Sequence, residues 1–229
     1  PEPACEVTQN GVTFQPLDIK ALVTDIYDGA AINTVFTGVR YNGGNDGKDR
    51  WGRHTDAAYR DLGAGYFHIA ITNILGKFKK GFILDVTASA EVWNQPVRGF
   101  QVKEQRRFKP KEAAKNFYAT STYPFNPRAS SIVYVKTRVS WIVEALEDGP
   151  LVSTGRVDAY TTGADYTYLL ELDGKDNIIG GEWLWGSNDN HPDFLWFPTG
   201  APALSAVTST GLSYKNVKDL VTRSAKCQK

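Results

Sequence analysis

The sequence has no methionine, two cysteines and three histidines in 229 residues. These scarcities narrow the chemistry. No Cys/His cluster has the spacing of a zinc site, and with so few imidazoles a general base can be sought by elimination. No apolar run reaches the roughly 18 residues of a membrane-spanning helix, and the first residues lack the hydrophobic core of a signal peptide. Asn-x-Ser/Thr sequons are absent, as are internal repeats and low-complexity linkers. With 26 basic against 25 acidic residues, no overall field favours nucleic acid, so specificity must lie in local sites.

A hydrophobic content of 41% can support a substantial core, and the length suits one domain, so residues 1–229 are expected to form a single unit. Pro1 and the absent methionine read as a fragment of a longer precursor. Cys5 and Cys227 lie at opposite ends of the sequence. That placement suits tying the termini together, or to another polypeptide, in an oxidising compartment. Bonded to each other, they would close a loop long enough to stabilise the fold by up to about 5 kcal/mol in the chain-entropy model.

A helix is expected from Pro16 to Asp28. Leu17, Ile19, Leu22, Val23 and Ile26 recur at helical spacing, Pro16 suits the first turn, and Gly29 can end it. Residues 41–52, rich in Gly, Asn and Asp, read as a surface loop of the kind that borders active sites. Across 66–86, alternation of Phe67, Ile69 and Ile71, and of Phe82, Leu84 and Val86, predicts a hairpin around 76–81. Residues 98–115 carry a basic surplus, read as a solvated face, a wall-polysaccharide contact or a processing site. Farther on, 131–146, 152–161, 166–172 and 178–185 are β-branched or aromatic runs, separated by turns at 147–150 and 173–177. A short helix is expected around 217–222.

The stretch Val92-Trp93-Asn94-Gln95-Pro96-Val97-Arg98-Gly99-Phe100-Gln101-Val102-Lys103-Glu104 is too specific for a generic strand and turn. It resembles the surface peptide of the oomycete cell-wall transglutaminases that plant cells perceive as an elicitor. Gln101 and Lys103 depart from it, where the elicitor carries Lys and Tyr; Trp93, Pro96 and Arg98 are kept as recognition residues. Core packing is the expectation for Trp93, with the segment otherwise displayed. The resemblance implies an α+β fold with a papain-like or transglutaminase-like active-site region and an antiparallel β portion. It also implies a secreted, cell-wall enzyme that crosslinks protein glutamines to lysines, uses calcium, and is sensed by a plant surface receptor. Asp173-Gly174-Lys175-Asp176-Asn177 and Asn188-Asp189-Asn190 offer oxygen ligands without an EF-hand pattern and read as turns.

Transglutamination needs a thiol, an imidazole that activates it, and a group that orients the imidazole. If the hairpin turns at Gly76-Lys77, His68 falls opposite Asp85, within imidazole-to-carboxylate reach. A turn at Lys79-Lys80-Gly81 would break that register. His68 and Asp85 are the expected catalytic pair, resembling the His and Asp of papain-like folds. His191 and Asp193, with Trp183, form an aromatic corner expected to line the substrate groove or to supply the base if the first pair fails. His54 is read as solvent-facing or capping. The family's cysteine lies in a Cys-His-Ala-Trp-like motif before the segment matching Pro1, and that motif is absent from this sequence. Cys5 is therefore read as structural, and the nucleophile is expected on an N-terminal polypeptide of the same precursor. The rival readings are a non-enzymatic secreted carbohydrate-binding or wall-binding protein, displaying some of its six Trp, and a papain-like cysteine protease.

Overall fold

The computed structural model describes residues 3–143 and 156–228. In chain order the elements are β1 (Val7–Gln9), β2 (Val12–Phe14), α1 (Pro16–Gly29), β3 (Thr34–Thr37), α2 (Ala57–Arg60) and α3 (Ala64–Ile69). A π-helical stretch, Ala70–Lys77, continues α3 before β4 (Ile83–Asp85), β5 (Asn94–Phe108), α4 (Pro110–Tyr118) and β6 (Ser131–Ile142). A short 3-10 helix, Arg156–Tyr160, leads into β7 (Thr161–Leu172), β8 (Ile178–Trp183), α5 (Gly186–Asp189), β9 (Leu195–Pro198) and α6 (Tyr214–Ser224). The result is a mixed helix and antiparallel-sheet fold.

The chain divides into two compact units. The first comprises Pro1–Val35, Val143–Thr161 and Pro198–Lys229. Here α1 starts as its sequence dictates: Pro16 occupies the first turn, and the Gln15 N–H donates to Asp18 Oδ2 at 2.8 Å. Ile19 and Ile26, seven residues apart on one helical face, are fully buried. Ile19 packs with Val7 of the β1–β2 hairpin and with Leu220 of α6.

The second unit, Phe36–Ile142 and Thr162–Phe197, holds the main core. A seven-stranded sheet runs β3-β9-β4-β5-β6-β7-β8. Phe67, Ile71, Leu84, Val135, Tyr168 and Leu195 are among the side chains buried in it. Helix α3 reaches β8 through glycine: a Cβ on Gly65 would lie 2.5 Å from the Gly180 carbonyl oxygen. That close approach places the residues after α2 against Glu182 and Trp183.

The structure replaces the expected 66–86 hairpin with α3, the π-helical stretch and β4. Phe67, Ala70 and Ile71 are buried at spacings of three and four, so a helix satisfies the same apolar residues that a strand would alternate. The expected 152–161 strand is a 3-10 helix where the described residues begin again at 156. The 147–150 turn lies outside the described residues. The basic 98–115 stretch is most of β5 followed by the first turns of α4, and its cations meet acids: Lys103 Nζ lies 3.0 Å from Asp165 and Arg107 2.8 Å from Asp176. Such exposed pairs each contribute at most about 1 kcal/mol.

Candidate active site

His68 sits on α3, not on a strand, and is not paired with Asp85. Its Nδ1 bonds the Tyr168 hydroxyl at 2.8 Å, and that hydroxyl lies 3.0 Å from Thr137 Oγ1. Burial lowers the His68 pKa, and among the described residues no carboxylate is bonded to the ring. The helical register turns His68 toward β7, whereas the hairpin reading required it to lie across from β4.

Asp85, at the end of β4, has a different neighbour. The Asp193 N–H donates to the Asp85 carbonyl at 3.1 Å, and the Asp85 N–H to the Phe194 carbonyl at 2.9 Å. A backbone donor reaches each carboxylate: Trp93 N–H meets Asp85 Oδ1 at 2.7 Å, and Tyr41 N–H meets Asp193 Oδ2 at 2.8 Å. The remaining oxygens, Asp85 Oδ2 and Asp193 Oδ1, are buried without a partner. Burial pushes Asp193 up to about 6; the Tyr41 N–H opposes the rise and the Asp85 charge adds to it. Burial raises Asp85 too, against the Trp93 N–H and the Arg40 charge. These acids anchor the chain at Tyr41 and at the start of β5.

His191, expected to line the substrate groove or to supply the base, is buried. Its ring stacks on Trp183 with centroids 5.0 Å apart, and Nδ1–H donates to the Pro192 carbonyl at 2.9 Å. Burial, foremost, lowers its pKa to about 4, so the ring is neutral at physiological pH. Trp183 fixes the corner by donating from Nε1 to the Leu62 carbonyl at 3.0 Å.

The imidazole that does carry an orienting carboxylate is His54. The Gly-rich loop turns back on itself through an antiparallel bridge between Lys48 and His54. This brings His54 Nδ1 onto Asp46 Oδ2. Asp46 is held in turn by the N–H groups of Thr55 and Asp56 on Oδ1, at 3.0 and 2.9 Å. Burial acts to raise the Asp46 pKa, but the Asp56 N–H, the His54 ring and the Thr55 N–H outweigh it and bring it down to about 2. Asp46 is thus ionised and fixed. On the other side, His54 Nε2 lies 2.9 Å from Oδ1 of the half-exposed Asp189, which also pairs with Lys48. Tyr59 stacks on the His54 ring, centroids 3.6 Å apart, and donates its hydroxyl to the Asp189 carbonyl at 2.7 Å. His54 lines a cleft of about 310 Å³ with Arg53, Arg60, Asp61, Glu182 and Asn188.

This is the geometry of a base with its orienter: one nitrogen on a fixed carboxylate, the other turned to an anion that can be displaced. Reading His54 as solvent-facing or capping missed it, because its ring is only 15% exposed and clamped from both sides. The signal available in the sequence was an Asp eight residues before one of three histidines, across a Gly-rich turn.

Trp93 is 53% exposed, not core, and Pro96 and Arg98 are exposed beside it on β5. Val97 is buried and Phe100 packs partly on the core, so the 92–104 segment is anchored on one side and displayed on the other. Cys5 is not a free cysteine. The N–H groups of Ala4 and Cys5 donate to Ser224 Oγ at 3.0 and 3.1 Å, which fixes Cys5 beside the end of α6. Among the described residues no group of three or more His, Cys, Asp or Glu could hold a metal ion. The Asp173 carboxylate is occupied by the Lys175 and Asn177 N–H groups and the Asn177 side chain, so that turn does not fit calcium. No described helix is long and apolar enough to cross a membrane.

A family model described as transglutaminase elicitor matches residues 1–227, and the chain belongs to that family. Among solved structures, the GP42 transglutaminase from Phytophthora sojae is similar at 53% identity and a TM-score of 0.80. The match covers 99% of this chain and 60% of that one, so this chain spans 60% of its relative's length. A comparison with curated proteins finds no match.

Proposed function

We propose that this chain supplies the base and substrate cleft of a protein-glutamine γ-glutamyltransferase whose thiol lies on polypeptide outside this sequence. The observation that carries the reading is the Asp46-His54 pair at the cleft, in a chain so similar to a solved transglutaminase. His54 Nε2 takes the proton of the thiol, and Asp46 holds the ring and stabilises the imidazolium that results. The thiolate attacks the glutamine γ-carbonyl, ammonia leaves with a proton from the imidazolium, and a primary amine then displaces the thiolate from the thioester. Asp189 in the meantime holds the side of Nε2 that a thiolate needs, and its exposure lets it yield. Calcium has no step in this reading.

In this proposal Cys5 pairs with Cys227, supported by the position of Cys5 against α6. The enzyme acts outside the cell, in the wall, on proteins presenting Gln and Lys, and plant cells sense the displayed face of 92–104. The test is the full-length, thiol-bearing protein with a glutamine peptide and a fluorescent primary amine. Ammonia release with covalent amine incorporation is expected. Cleavage of peptide bonds in place of incorporation would overturn the reading and favour a protease.

A further inference from the structure

Glu171 on β7 and Glu182 on β8 share one face of the sheet. In the β7–β8 register Leu169 pairs with Glu182 and Glu171 with Gly180, so the two acids are diagonal neighbours. They line an open pocket of about 370 Å³ together with Arg53, Phe125, Asn126 and Arg128. Gly180 leaves the room for this, since a Cβ there would collide with Glu171 Oε2.

The charge in this pocket is incompletely matched. Glu171 is 3% exposed, accepts one neutral bond from Asn126 Nδ2 at 2.9 Å, and leaves Oε1 without a partner. Burial, foremost, raises the pKa of the nearby Tyr123 hydroxyl, and the charge and side chain of Glu171 beside it add to the rise; Tyr123 Oη and Glu171 Oε1 are both buried with no well-formed hydrogen bond. Arg53, which lines the pocket, is divided: its Nε bonds Asp49 at 2.8 Å, its Nη1 spans both Glu182 oxygens at 3.3 Å, and its guanidinium lies 4.0 Å from the Phe125 ring centre. Arg128 is exposed at the rim. A carboxylate buried to this degree, with a neutral amide and a neutral hydroxyl beside it, favours an incoming cation.

We propose that this pocket binds the primary ammonium of the acyl-acceptor side chain. A primary ammonium brings three donors, which suit Glu171 Oε1, Glu182 and the Tyr123 hydroxyl. A calcium ion needs six or more oxygens, and among the described residues no three His, Cys, Asp or Glu gather to hold a metal ion. Glu182 lines both this pocket and the His54 cleft, so an amine held here stands beside the base. Rim Arg128 can meet a carbonyl of the polypeptide that carries the lysine. The assignment rests on the transglutaminase reading above and adds the side from which the second substrate arrives.

Calorimetric titration of this chain with N-acetyl-lysine methylamide tests it, with the norleucine analogue as the uncharged match. The lysine probe is expected to bind and the norleucine probe not to. Glu171→Gln and Glu182→Gln should each weaken binding at least tenfold. Asp165→Asn, the same charge change at an acid bonded to Lys103 and Arg138, should leave it unchanged. Melting curves report whether each variant folds; if the glutamate variants do not, amide resonances of Gly180 and Asn126 in the wild type must shift on titration. Equal affinity across the variants, unshifted resonances, or displacement of the lysine probe by equimolar calcium would each overturn the proposal. No thiol enters this assay, so its outcome is separate from whether the full-length protein releases ammonia.

Discussion

Replacing Asp193 by Asn should stabilise the protein at neutral pH and leave it unchanged in acid. Asp193 is 1% exposed and has one oxygen without a partner, and its pKa is pushed up to about 6 from the usual 3.8. Between those values the folded state binds the proton that the unfolded state has released. Stability therefore falls as pH rises through that window. At 1.36 kcal/mol per unit, a shift of this size amounts to a deficit of about 3 kcal/mol, complete above pH 6. The amide introduced by Asp193→Asn would keep an oxygen for the Tyr41 N–H and carry no charge at any pH. The His191 pKa, lowered to about 4, acts in the opposite sense, since the unfolded state binds more protons between 4 and 6.5. The two effects oppose each other in the wild-type curve, but His191 drops out of the difference between the variant and the wild type. Urea unfolding from pH 4 to 8 should show that difference growing from near zero to about 3 kcal/mol in favour of the variant. A difference that is constant with pH, or a variant less stable at pH 7, would refute the argument.

Trp93→Ala should change stability by less than about 0.5 kcal/mol, as for an exposed site, whereas Phe67→Ala, fully buried among Tyr166, Tyr168 and Trp183, should cost about 3 to 5 kcal/mol. Chemical denaturation of both measures the contrast. Gly65→Ala should destabilise by about 1 to 3 kcal/mol through its clash with the Gly180 carbonyl, read as a lowered melting temperature. In the full-length protein, Asp46→Asn should lower turnover by several orders of magnitude, about the 10⁴-fold seen when an orienting carboxylate becomes an amide, with melting temperature checked alongside.

Local signals made parts of the fold legible. Pro16, the spacing of Ile19 and Ile26, and Gly29 define α1 almost to its observed bounds, and the β-branched runs mark β6, β7 and β8. The 92–104 segment is readable as anchored and displayed because the apolar Val97 and Phe100 stand among polar neighbours, and an irregularity in the β5 register between Val97 and Gly99 lets residues three apart both reach the core; Trp93 differs from expectation because an aromatic residue does not itself say which face it takes. Residues 66–77 misled because Phe67, Ile69 and Ile71 fit a period of two as well as a helix, and only packing on β8 through Gly65 decides between them. Register arguments for His68 and Asp85 failed with that element. The Asp46-His54 pair was hidden for another reason: it depends on how an irregular loop closes, which neither periodicity nor propensity encodes. Asp85 and Asp193 meet through strand pairing across more than a hundred residues, a non-local contact no short motif records.

The central claim is that His54 is the base, and amine incorporation by the full-length protein carrying His54→Ala or His68→Ala tests it most directly. The account predicts that His54→Ala lowers incorporation by at least about a thousandfold, as loss of a catalytic imidazole does, with an unchanged melting temperature, while His68→Ala keeps most of its turnover once folded. Full activity in His54→Ala, or its loss in a folded His68→Ala protein alone, would contradict it.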